Sequence, residues 1–161
     1  MATLSDAALE SPVIFPNGDL LVGTNDRKLH RLTPPAGAPG LWVDAWSPVP
    51  DLGAAVTGAA IVSADPSGVT SYAVTQAGGV FAIDGAGKTV WSAPAAALGL
   101  VALSFPSVAP AAPGGLPTLY AGSGDGKLYA VVVDSGLDPA SPWPKSHHDV
   151  RNTGNGSAPL P

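Results

Sequence analysis

The sequence contains no cysteine. Disulfide bridges, thiolate metal sites and cysteine nucleophiles are therefore all excluded. Charge is scarce as well: only 12% of the 161 residues are Asp, Glu, Lys or Arg, Glu10 is the single glutamate, and the net charge is −5. The seven Lys and Arg residues are scattered, so the basic stripe that a nucleic-acid partner or an anionic membrane surface would need is missing. No apolar run approaches the roughly 18–20 residues of a membrane span. The longest, "AAALGLVALSF" at 95–105, is about half that length. The opening "MATLSDAALE" lacks the charged leader and apolar run of a secretory signal.

What the chain holds in excess is turn formers. Gly 20 and Pro 18 together make nearly a quarter of the chain, with no collagen-like period. Such a composition serves helices poorly and implies many turns. With 45% hydrophobic residues, a single domain of ordinary size can still build a packed core.

Three segments repeat: "DLLVGTNDRKLHRL" from Asp19, "TSYAVTQAGGVFAI" from Thr70 and "TLYAGSGDGKLYAV" from Thr118, starting 51 and 48 residues apart. Each reads as strand, tight turn, strand, because strand-favouring residues flank a Gly, Asn or Asp cluster. "GSGDGK" and "TQAGG" supply the positive φ such turns need, and "TNDRK" is expected to do so through Asn25 and Asp26. Short apolar runs precede each hairpin ("SPVIF", "GAAIVSA", "FPSVAP"). Runs carrying Trp follow it ("LWVDAW", "KTVWSAP", "SPWPK"), with Trp42, Trp46, Trp91 and Trp143. The expectation is an all-β chain: a partial β-propeller of about three four-stranded antiparallel blades, at about 11–56, 57–103 and 104–145, after an extension at 1–10 and before a tail at 146–161. A β-sandwich of roughly twelve strands is the competing architecture, but it has no reason to repeat a Gly/Asp turn and a closing Trp at this period.

The segments "LYAGSGDGKLYAVVVDSG", "SYAVTQAGGVFAIDGAGKTVW" and, more degenerately, "LLVGTNDRKLHRL" resemble the pyrroloquinoline-quinone-like β-propeller repeat, the blade of quinoprotein dehydrogenases and of many periplasmic or secreted scaffolds. The second copy departs from the pattern at Val74 and Thr75, the first at His30 and Arg31. "PWPKSHHDVRNTGN" resembles the family's terminal tail. The resemblance implies a C-terminal group of blades and leans toward the periplasm or the cell exterior. It also raises quinone catalysis, whose full ring, bound calcium and catalytic Asp have no counterpart to carry over here. Three blades are fewer than the four to eight that usually close a ring. Two raw sheet faces are therefore expected, to be covered by earlier blades of a longer chain, by a partner, or by a second copy joined head to tail into six blades.

Candidate chemistry is thin. His147, His148 and Asp149 offer metal-ligand types, but neighbours on an extended segment point to opposite sides, and His30 is the only other histidine. They are expected to serve the tail instead. Trp143 would pack on the core while Asp149, Asn152 and Thr153 satisfy turn groups. "AGSGDGKL" fails as a phosphate loop at Ala121 and Leu128 and fails as a dinucleotide fingerprint at Lys127, so Gly122, Gly124 and Gly126 read as hairpin residues. Asp26 and Asp125 occupy equivalent turn positions, with Ala77 between them in the series, and no EF-hand loop or serine elbow occurs. No catalytic, cofactor-binding or metal residue is assigned. The expected role is a non-enzymatic scaffold or protein-interaction module whose partners are itself or other propeller blades. The alternative is a quinone- or calcium-binding propeller whose site forms only in a complete ring.

Overall fold

A computed structural model describes residues 4, 6–8, 10–37, 40–62, 68–93, 106–110, 113, 115–149 and 154–157. Among these the chain is all β. Strands β1 (Val13–Ile14), β2 (Leu20–Gly23), β3 (Leu29–Thr33) and β4 (Val43–Asp44) form the first sheet. Strands β5 (Val56–Ile61), β6 (Val69–Thr75), β7 (Val80–Asp84) and β8 (Thr89–Ala93) form the second. The third consists of β9 (Ser107–Ala109), β10 (Thr118–Gly122) and β11 (Leu128–Val132). Every pairing is antiparallel between neighbours in sequence. All three repeated segments thus fold as the hairpins their local chemistry dictates. The run at 95–105 lies outside the described residues.

One turn design recurs five times. Over 15–19, 24–28, 75–79, 84–88 and 123–127 the first residue's N–H donates to the fifth residue's carbonyl, and the fourth residue's N–H donates to the first residue's carbonyl. The fourth residue has positive φ in each: Gly18 (89°), Arg27 (76°), Gly78 (80°), Gly87 (84°) and Gly126 (81°). This is a type I turn closed by a left-handed residue, a geometry that follows the strand twist. The expectation for the first hairpin is corrected here, since Arg27, not Asn25 or Asp26, takes the left-handed position. Register explains why: the bulge sits at the fourth residue whatever its side chain, and Asn25 and Asp26 occupy the type I part of the turn.

The sheets stack face to face with the second in the middle. Successive strand residues point to opposite faces. Hence Tyr72, Val74, Val80 and Ala82 meet the third sheet's Val108, Leu119 and Ala121. Ala73, Phe81 and Ile83 meet the first sheet's Val13, Leu21 and Leu29. Burial on both faces accounts for the absence of charge from β6 and for the near-continuous apolar sequence of β7. The closing tryptophans staple one sheet to the next. Trp46 Nε1 donates to Gly85 O at 3.1 Å, and Trp91 Nε1 donates to Asp134 Oδ2 at 3.0 Å. Gly87 is obligatory beneath the first staple, because a Cβ there would stand 2.7 Å from the Trp46 ring.

The third unit departs from the expected four strands. Among the described residues its sheet has three, and the run carrying Trp143 leaves it. Pro142 and Pro144 remove the backbone donors along one edge of this run, so it cannot extend a regular ladder through that edge and offers only carbonyls there. Trp143 O accepts from Ile14 N at 2.8 Å and Pro144 O accepts from Ile61 N at 2.7 Å. Leu137 and Lys145 bridge to Val62 and Ala60. The tail thereby covers the open edges of β1 and β5, which would otherwise present unpaired backbone groups.

Candidate functional site

Two places could carry function: the tail around Trp143, and the outer face of the third sheet. In the tail, His147 and His148 have φ values of 61° and 73°. Two successive left-handed residues turn the chain sharply, and His147 O accepts from the N–H groups of Asp149 and Gly154, both at 3.0 Å. The segment is therefore a tight turn and not the extended run expected, although the imidazoles still diverge. His147 is exposed and His148 is 2% exposed. The His148 ring meets Trp143 edge-on at 5.2 Å. Its Nδ1 is buried without a hydrogen-bond partner and stands 3.8 Å from Asp149 Oδ2.

His30 does not join them. It lies in β3 with Nδ1 2.6 Å from Asp44 Oδ2, and its Nε2 is buried without a partner. Among the described residues no three His, Asp or Glu side chains are grouped to hold a metal ion. Trp143 belongs to neither hydrophobic cluster. Half-buried, it lines a cleft of about 450 Å³ with Ser11, Pro12, Ile14, Ser146 and His147. Asn152 and Thr153 lie outside the described residues.

Two ionisable groups flank this region, Lys145 buried and Glu10 half-buried, and neither carries a local sequence signal for that placement. Lys145 is 2% exposed and donates through Nζ to the carbonyls of Ser146 (2.5 Å) and Asp149 (3.1 Å). Burial lowers its pKa, and the Asp149 charge partly offsets this. Glu10 keeps Oε2 buried without a hydrogen-bond partner, and burial pushes its pKa up to about 8 against the pull of a backbone hydrogen bond from Ala59. The hairpin aspartates act within their turns. Asp26 accepts from Thr24 Oγ1 at 2.5 Å. Asp125 accepts from Tyr129 Oη at 2.7 Å and from Lys127 Nζ at 3.1 Å, and the Tyr129 hydrogen bond leads in holding its carboxyl well below the usual range.

The third sheet's outer face differs from every equivalent face in the molecule. Leu21 and Tyr72, at matching positions of the first two repeats, are 1% and 0% exposed against the following sheet, while Tyr120 is 37% exposed. Leu29 and Val80 are both 0% exposed, while Leu128 is 71% exposed. Cross-strand partners share a face, so the register Thr118↔Val132, Tyr120↔Ala130 and Gly122↔Leu128 makes one continuous surface. The opposite end of the stack is not equivalent. Val22, His30 and Leu32, on the outward face of the first sheet, are 5%, 7% and 8% exposed. The expectation of two raw faces is thus met on one side only. The periodic pattern places the residues on a face, but tertiary packing decides whether that face is covered. Aligning the three repeats is the sequence signal that picks out Tyr120 and Leu128.

Comparison of the chain with family models and with curated proteins finds no match.

Proposed function

We propose that this chain is a segment of a β-propeller serving as a non-enzymatic scaffold or protein-interaction module, with the outer face of the third sheet as its contact surface. One observation carries the reading: Tyr120 and Leu128 lie exposed at positions whose counterparts are completely buried by a following sheet. The composition of β11 supports it. A strand with one solvated face alternates apolar and polar residues, yet Leu128, Tyr129, Ala130, Val131 and Val132 are apolar or aromatic throughout, like the doubly buried β7. A continuous apolar face of this kind marks an interaction site.

Two ways of covering the face suit this reading: the remaining blades of a longer propeller, or a second copy. A cofactor-binding propeller is the weaker alternative. Residues 137–145 run along the edges of β1 and β5, the strands that would line the axis of such a ring, and so occupy room a central site would need.

A propeller relates successive blades by one repeated rotation. An experimental structure in which the first-to-second and second-to-third sheet rotations agree would support the reading. Unequal rotations, or sheets related as two halves of a sandwich, would overturn it.

A further inference from the structure

We infer that the outer face of the third sheet is self-complementary and that two copies of this chain meet through it, face to face about a twofold axis. The inference rests on the reading of that face as a contact surface and names its occupant.

At both internal junctions the cover for such a face is another sheet of the same repeat. It presents small aliphatic residues and one aromatic: Ala73, Ile83 and Phe81 at the first junction, Ala121, Val131 and Tyr129 at the second. A second copy could offer its first sheet in head-to-tail fashion. There, however, Val22, His30 and Leu32, the counterparts of those covering residues, are already buried. The third sheet's own outer face, where Tyr120, Leu128 and Val132 share one exposed surface, remains open on a second copy, and contact through it is isologous, the same patch on both subunits.

The chemistry permits this. Thr118, Tyr120, Leu128, Ala130 and Val132 carry no charge, so facing copies bring no like charges together. Asp125 and Lys127, at the turn beside the face, are already paired with each other at 3.1 Å. Size sets the strength. Two strands of five residues and one of three make a face of at most roughly 14 by 17 Å, well short of the ~800 Å² per partner of a stable interface. The dimer is therefore weak and depends on concentration.

Sedimentation equilibrium of the whole chain, from about 10 µM to about 1 mM, spans the affinities that so small an interface supports. The mass is expected to rise from 15.9 kDa toward twice that value and no further. Leu128→Asp and Val132→Asp, both at exposed positions, are expected to weaken the association at least about tenfold by burying unpaired carboxylates. Orientation is read from Ala130→Cys, which introduces the sole thiol of the chain. A short bis-maleimide is expected to link it into dimers from the face-to-face pair. A mass that stays flat, climbs past the dimer, or ignores both Asp variants overturns the inference. Nuclear Overhauser contacts between Tyr72 and Leu119, measured on the same sample, separate the two levels. If they persist while no dimer forms, the inference alone fails; if they are absent, the stacked-sheet reading fails with it.

Discussion

Trp91 and Asp134, 43 residues apart in sequence, are joined by an indole N–H to carboxylate hydrogen bond of 3.0 Å. The bond ties the outermost strand of the second sheet to the segment that follows the last strand of the third. Tyr72 stands beside the same indole at 5.8 Å, and its Oη accepts from the N–H groups of Asp134 (3.0 Å) and Ser135 (3.3 Å). The bond itself is partly solvated, so its own share is small. Trp91→Phe is expected to cost about 1 kcal/mol, most of it shared with Asp134→Ala in a double-mutant cycle read by urea denaturation. Independent, additive losses would show that the two side chains do not act as a staple.

Arg27 sits where four equivalent turns place glycine. A side chain in the left-handed region costs roughly 1–2 kcal/mol, while the exposed ion pair with Asp51 at 2.9 Å returns little. Arg27→Gly is therefore expected to stabilise the fold by about 0.5–1 kcal/mol, after allowing for the greater freedom of glycine in the unfolded chain. Arg27→Ala keeps the strain and loses the ion pair, and is expected to be neutral or slightly destabilising. Thermal unfolding of the two variants provides the comparison.

Glu10 gives stability a specific pH dependence. Its folded pKa, about 8, lies above its ordinary value of 4.5, so the folded state favours the protonated carboxyl. The associated stability is fully present below about pH 4.5 and is lost as pH rises through about 8. Glu10→Gln removes this dependence. The variant is expected to match the parent near pH 5 and to exceed it near pH 9 by on the order of 2 kcal/mol. Denaturation curves at several pH values test this, and a constant gap between the two proteins would contradict it.

Much of this architecture is legible in the sequence because it is local. Alternation around Gly126 and Gly78 marks the hairpins, and the spacing of the three copies marks the repeated unit. What escapes is set by long-range packing. The departure of Trp143 from the third sheet turns on Pro142 and Pro144, whose missing donors weigh more than the analogy with Trp46 and Trp91. Arg27 shows that a turn can impose left-handed geometry on a residue that does not favour it. The burial of Val22 and His30, against the exposure of Tyr120 and Leu128, depends on what lies over each face, and periodicity within a strand carries no record of that. Lys145 gives no local signal, since its partners are backbone carbonyls in its own tail.

Equivalent positions are sealed in two repeats and open in the third. Because the chain has no native thiol, the variants Leu29→Cys, Val80→Cys and Leu128→Cys can each report on a single position through the rate of reaction with a soluble thiol reagent. At low micromolar concentration the thiol of Leu128→Cys is expected to react at close to the rate of an unfolded chain, while the other two are protected by orders of magnitude. Raising the protein concentration is expected to slow Leu128→Cys alone. Equal protection at all three positions in dilute solution, or a Leu128→Cys rate that does not change with concentration, would contradict the claim that the third sheet carries a free face that binds.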